Sequence, residues 1–123
     1  MITCLGTASL AQTDEFRKAT KVAQIKKMGA QQISGDSIRK IVSGRTLDHP
    51  GWTWIFKADG TQTSADKKGQ WNTSGTWRID GNLLCRKSDQ TGKEKCSDVY
   101  FLGRDLKFTL GGKRNLEEWF ATY

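Results

Sequence analysis

The sequence predicts a mainly β (α+β) fold, with one or two N-terminal helices followed by an antiparallel meander that forms a small barrel or sandwich. Three observations carry that expectation. Apolar residues at helical spacing occur only before Arg45. From Arg45 onward they alternate in short runs, and turn signals such as "ADGT", "DGN", "DQTG" and "GRD" separate the runs at close intervals. The 123 residues include 12 aromatics and only one proline, enough to build one modest core and too aromatic for a disordered chain.

The first residues read as something other than folded protein. Residues 1–11 carry no charge, and "SLAQ" resembles a signal-peptidase site with Ser9 and Ala11 at the small-residue positions. Residues 1–11 are therefore expected to be the remnant of a secretory signal peptide. Residues 12–123 are expected to form a single domain, helical over 12–44 and a β-meander over 45–123. Loss of the leader would remove Cys4 and leave Cys85 and Cys96 as the only cysteines.

"TDEFRKATKVAQIKKMGA", residues 13–30, reads as one helix. Thr13 or Asp14 would cap it, because a side-chain oxygen there can accept from otherwise unpaired backbone N–H groups. Acidic residues at its start and Lys26 and Lys27 at its end suit the helix dipole. "ISGDSIRKIVSGRTL" reads as a short second helix. Ser34 is its N-cap, Ile33 and Ile38 form a hydrophobic staple, and Gly44 takes the left-handed position after its end.

"WTWIFKA" alternates and places Trp52, Trp54 and Phe56 on one face. "TSADKKGQ" reads as a polar loop. "SGTWRI", "LLCRKS", "EKCSDVYFL", "LKFTL" and "LEEWFATY" read as further strands, giving about five to seven in all.

In a hairpin centred on Asp89–Gly92, Leu84 faces Ser97, Cys85 faces Cys96 and Arg86 faces Lys95. Directly opposed positions bring Cβ atoms to ~4.5–5.5 Å, close enough for a disulfide. Two free buried thiols are the remaining alternative. A structural zinc site is not expected, since it needs four Cys or His ligands and the mature chain offers two cysteines and His49. Ten residues separate the sulfurs, which does not match thioredoxin-type Cys-x-x-Cys chemistry. An exported domain with an even cysteine count fits a disulfide.

The formal charge is +7, from 20 basic and 13 acidic residues. That balance favours an acidic partner. Basic residues concentrate twice: Arg17, Lys18, Lys21, Lys26 and Lys27 on the first helix, and Arg86, Lys87, Lys93 and Lys95 along the cysteine hairpin. Both clusters are candidate docking patches. Trp52, Trp54 and Trp77 read as core residues, whereas Trp71 and Trp119 read as an exposed stacking platform. Nucleic acid is not the expected partner, because export argues against it and no nucleic-acid-binding motif is present. No apolar run approaches the ~20 residues of a membrane span.

No catalytic constellation stands out. His49 follows Asp48, but no serine lies in a nucleophile elbow, and the dipeptide reads as a turn before Pro50. "GDSIRK" and "LGGKR" lack phosphate-loop spacing. No cofactor is expected.

At "SGDSIRKIVSGRTL", "FKADGT", "GTWRIDGNLLCRK" and "KCSDVY" the chain resembles a group of small exported bacterial proteins of unknown function, over about residues 33–110. The resemblance implies a lipocalin-like or calycin-like architecture in the periplasm or outside the cell. It implies no catalytic residues. The expected function is a non-catalytic exported binding or interaction module, such as an accessory subunit of a larger envelope or extracellular assembly. Its partner would be another protein or an anionic surface. The alternatives are a small-ligand carrier of lipocalin type and an inhibitor of a secreted protease.

Overall fold

The structure is a computed structural model that describes residues 10–123. Residues 1–9, and with them Cys4 and most of the expected leader, lie outside the described residues. Leu10 and Ala11 belong to the first helix.

The described residues form three helices and ten short antiparallel strands: α1 (Leu10–Lys18), α2 (Val22–Lys27), β1 (Gln31–Gln32), α3 (Gly35–Val42), β2 (Arg45–Asp48), β3 (Trp52–Phe56), β4 (Thr61–Asp66), β5 (Asn72–Asp80), β6 (Leu83–Ser88), β7 (Glu94–Ser97), β8 (Val99–Leu102), β9 (Asp105–Phe108) and β10 (Ala121–Thr122). They make one sheet in the order β1-β8-β9-β10-β2-β3-β4-β5-β6-β7. The mainly β expectation is met, with more and shorter strands than the sequence pattern suggested.

The sheet is rolled. Strands β7 and β8 stand last and second in the sheet order, yet only Asp98 separates them in the chain. The two ends of the sheet must therefore lie side by side. Asp98 marks the corner: Thr109 N–H donates to its carbonyl (3.0 Å), and its own N–H donates to Thr109 Oγ1 (2.9 Å). The run "EKCSDVYFL", expected as one strand, is thus two. The roll is not closed, since the outer edge of β7 has no strand partner among the described residues.

Alternation decides which face is inside. Leu47, Trp54, Phe56, Trp77, Leu84, Val99, Leu106 and Phe108 point to one face and form the main core with Ile33, Ile38 and Val42 of the α3 region. Burying each such side chain is worth about 1.5–3 kcal/mol. Helix α3 closes one end of the roll. Ser37 N–H donates to Ser34 Oγ, which is the expected cap, and Ile33 and Ile38 bury together as the expected staple. Gly35 seats this helix on the β5–β6 turn: a Cβ there would lie 2.0 Å from the Gly81 carbonyl oxygen. Gly44 takes φ +72° after the helix end, as expected.

Strands β8 and β9 are buried on both faces. Val99, Phe101, Leu106 and Phe108 enter the main core, while Tyr100 and Leu102 meet Phe16, Val22, Ile25 and Leu116 in a second cluster beneath α1 and α2. The expected single helix over 13–30 is two helices. Leu10–Lys18 already includes Thr13 and Asp14, so neither is a cap. The chain then breaks because Lys21 is extended (φ −127°, ψ 137°) and bridges to Asn115. That bridge lets both short helices follow the curve of the sheet. The "TSADKKGQ" segment is also a correction: its first half is the end of β4, paired in full register with β3 and β5. The "LEEWFATY" strand shrinks to β10, because Leu116 and Phe120 are drawn into the core in irregular conformation.

No helix among the described residues is long and apolar enough to cross a membrane.

Candidate functional site

The cysteine hairpin has the register expected from sequence. Leu84 pairs with Ser97, Cys85 with Cys96 and Arg86 with Lys95, and Cys85 and Cys96 form a disulfide with Cα atoms 4.0 Å apart. On the same outer face, Arg78 lies opposite Cys85 and donates to Glu94 from Nε (3.0 Å) and Nη2 (2.8 Å). That pair holds the Glu94 carboxyl below its usual range. Since Glu94 is committed and both sulfurs are oxidised, the Cys85–Glu94–Cys96 group offers no metal site.

Arg86 points the other way, into the roll. Period-two alternation forces this, because its neighbour Cys85 faces outward. The guanidinium carbon sits 4.8 Å from the Trp54 ring centre, 5.3 Å from Trp119 and 5.7 Å from Phe108. Ring faces are the negative side of the aromatic quadrupole, so this aromatic cage attracts a cation that has lost its water. It does not satisfy the hydrogen-bond donors. Nε and Nη2 of Arg86 are buried and have no hydrogen-bond partner among the described residues. Burial pulls the guanidinium down to about 10, with a smaller opposing pull from Glu117, so it stays charged at neutral pH.

Above Arg86 lies a cavity of about 390 Å³. Trp54 and Arg86 line it, with Nε and Nη2 of Arg86 set behind that lining and almost without accessible surface. Gln62, Ser64, Thr73, Ser74 and Ser88 line its sides, and Lys87, Thr91, Lys93 and Lys95 surround it. Register brings these together: Trp54 pairs with Ser64, Ser64 with Thr73, Gly75 with Ser88, and Arg86 with Lys95. Gly75 leaves its place beside Ser88 without a side chain. A Cβ there would meet the Lys87 carbonyl oxygen at 2.0 Å. The cavity lies at the end of β5 and β6 away from α3, which packs at Gly81.

All four hairpin cations singled out from sequence therefore line one cavity. The helix cations do not converge. Arg17 is tied down: Nε (2.6 Å) and Nη2 (3.3 Å) donate to Asp105, and its guanidinium covers Phe120 at 4.4 Å. Lys18 pairs with Asp14 and shares a surface groove with Lys27. Lys21 and Lys26 line a second groove with Lys113 and Arg114, two cations the sequence reading left aside.

The expected aromatic platform is also redistributed. Trp71 is exposed, at 44%. Trp119 is not a surface residue. It is partly buried, stacks on Phe108 (4.6 Å between ring centres) and meets Trp54 edge-on (4.7 Å). It therefore belongs to the Arg86 cage. Trp54 and Trp77 are core residues as expected, while Trp52 is only partly buried and carries His49 stacked at 3.5 Å. His49 Nδ1 accepts from Gly51 N–H (2.9 Å), and Asp48 pairs instead with Lys67 (2.9 Å). Burial first, and then Lys67, push the His49 imidazole below its ordinary value.

The sequence showed Arg86 as one of four cations on a hairpin. Its special state rests on the three rings around it, which come from β3, β9 and the C-terminal segment. Alternation alone could have shown that Arg86 faces inward with Leu84.

No family model, no curated protein and no solved structure matches this chain.

Proposed function

We propose that this protein is a non-catalytic binding module of the periplasm or extracellular space, and that it holds a small anionic ligand in the Arg86 cavity. One observation carries the reading. A buried guanidinium has two N–H-bearing nitrogens without acceptors, and the same side chain lines a cavity ringed by lysines. Leaving such donors unpaired costs about 1–3 kcal/mol or more, and an anion from outside would remove that penalty. Lys87, Lys93 and Lys95 raise the local concentration of anions. The disulfide is compatible with an oxidising compartment. Among the functions weighed from sequence, this favours the small-ligand carrier over the accessory subunit.

The test is titration with simple anions (acetate, phosphate and sulfate) at low salt, read by tryptophan fluorescence, since Arg86 lies against Trp54 and Trp119. At least one anion should bind. Arg86→Leu should weaken it by roughly thirtyfold, as expected for losing a charge-assisted fork. Equal binding by the variant, or no binding by either protein, would remove the proposal.

A second reading rests on the groove of Lys21, Lys26, Lys113 and Arg114, where four cations from two segments of the chain line one groove that would suit an acidic surface. Binding of the whole chain to anionic vesicles, abolished by Lys113→Glu with Arg114→Glu and unchanged by Arg86→Leu, would support it.

A further inference from the structure

Three features of the Arg86 cavity go beyond its charge. The first is the shape of the unpaired donor. Nε and Nη2 present two N–H bonds on one edge of the guanidinium. Twice in this protein that same edge is matched by the two oxygens of one carboxylate: Asp105 on Arg17 and Glu94 on Arg78. A planar carboxylate fits the fork in-plane. A phosphate would carry its further oxygens towards the faces of Trp54, Trp119 and Phe108, which repel negative charge. Among the described residues, no helix contributes to the lining of the cavity.

The second feature is the wall. Five of the lining residues are hydroxylic, and their internal hydrogen bonds leave capacity over. Ser88 Oγ accepts from Gln90 N–H and Thr91 Oγ1 accepts from Lys93 N–H, both at 3.2 Å, so each hydroxyl proton can be donated elsewhere. Ser64 and Thr73 bond to each other, which uses one of their two protons. Ser74 donates to Asp89 (3.2 Å) and can still accept. Each hydroxyl offers one donor and two acceptor sites. The Gln62 amide, which also lines the cavity, has no side-chain hydrogen bond within the described residues. Hydroxyl and amide groups of this kind can bond to the hydroxyls of a ligand.

The third feature is the rim. Lys87, Lys93 and Lys95 stand outside the fork and are exposed. Two acidic groups stand beside these three lysines: Glu117, 3.7 Å from Lys95, and Asp89, which accepts from Ser74. The rim therefore keeps a net positive charge beyond the first anionic group of the ligand.

We infer that the ligand is a sugar acid: a polyhydroxylated ring whose carboxylate displaces the packing over the buried Nε–Nη2 edge of Arg86 and seats there, while its hydroxyls bond to the Ser/Thr wall. The inference rests on the anion-site reading above and narrows it. The same chemistry is supplied by a free uronic acid or by the end of an acidic polysaccharide. The rim lysines favour the latter, since they would meet the next carboxylates along the chain.

The experiment is a calorimetric titration of the intact, oxidised protein with galacturonate, tri-galacturonate, galactose, acetate and phosphate. Galacturonate should bind at least tenfold tighter than acetate, which lacks hydroxyls, and than galactose, which lacks the carboxylate. Ser88→Ala and Thr91→Val should each weaken galacturonate by about fivefold and leave acetate unchanged. Arg86→Leu should erase the advantage of galacturonate over galactose. Lys27→Ala, remote from the cavity, serves as the control. A tighter, salt-sensitive complex with tri-galacturonate assigns the polysaccharide end, and equal affinity assigns the free sugar acid. If acetate matches galacturonate, or phosphate exceeds it, the sugar-acid assignment falls while the anion site stands. If galactose matches galacturonate in wild type, or no anion binds at all, both fall.

Discussion

Lys107 and Arg86 are both cations withdrawn from water, one on the helix-covered face of β9 and the other on the inner face of β6. Lys107 has no exposed surface, and its ammonium donates to the carbonyls of Arg17 (3.1 Å) and Glu117 (2.9 Å). It thereby caps the end of α1 and ties it to the C-terminal segment. Beside it, Asp105 accepts from Arg17 and from Thr122 Oγ1 (2.7 Å). This region is internally complete. Around Arg86 aromatic rings pack against the guanidinium, but two of its donors are not matched from within the described residues. Where every buried polar group has its partner, the residue serves the fold. Where one is left over beside a cavity, the fold is holding it for something else.

The largest expected effect breaks the complete region. Lys107→Met should lower unfolding free energy by about 2–4 kcal/mol, because two buried carbonyls lose their donor. Urea denaturation followed by circular dichroism measures this. A loss below 1 kcal/mol would mean that water reaches those carbonyls, and the contrast would weaken.

Next is the disulfide, which lies directly behind Arg86 on the outer face of the hairpin. Closing this short loop is worth roughly 2–3 kcal/mol on the chain-entropy model. Its reduction should destabilise the protein by that amount and weaken anion binding further, since β7 is an edge strand whose only strand partner among the described residues is β6. If binding survives reduction unchanged, the hairpin does not need its staple to shape the cavity.

The third effect is smaller and separates the two cations most directly. Arg86→Leu removes an unpaired buried charge and leaves an apolar side chain among three rings. The lost cation–π attraction, about 2 kcal/mol for a desolvated cation, opposes the relieved desolvation. Stability should therefore change by less than about 1 kcal/mol while anion binding weakens by roughly thirtyfold. A loss as large as that of Lys107→Met would make Arg86 a structural residue.

Much of this fold could be read from the residues. Ser34, the Ile33–Ile38 staple and Gly44 define α3 through local chemistry alone, and turn residues fix the hairpin register that pairs Cys85 with Cys96. What could not be read depends on distant partners. Helix α1 ends where Lys21 extends to meet Asn115, 94 positions away. The polar "TSAD" segment becomes a strand because β3 and β5 flank it. Lys107 sits between Leu106 and Phe108, and period-two alternation would place it in solvent. It is buried because α1 covers that face. The cavity was half legible: its cations and their register were evident, whereas the aromatic cage required Phe108 and Trp119 to arrive from the far end of the chain.

The smallest effect concerns pH and tests how complete the Lys107 region is. Burial pushes the Lys107 ammonium down from 10.5 to about 8, and the nearby Glu117 and Glu118 push weakly the other way. Between about pH 8 and 10.5 the folded protein then holds fewer protons than the unfolded chain, which keeps an ordinary lysine. Stability should rise with pH across that window, by at most about 1.4 kcal/mol per pH unit for one proton. The buried Tyr100 hydroxyl, raised by burial and by Asp98, acts in the opposite sense towards the upper end. The slope is therefore best taken as the difference between wild type and Lys107→Met, in which Tyr100 is common to both. A positive difference means that burial outweighs the two carbonyls as a determinant of the Lys107 charge. A flat one means that the carbonyls of Arg17 and Glu117 hold the ammonium as well as water does, and the distance between this cation and Arg86 grows accordingly.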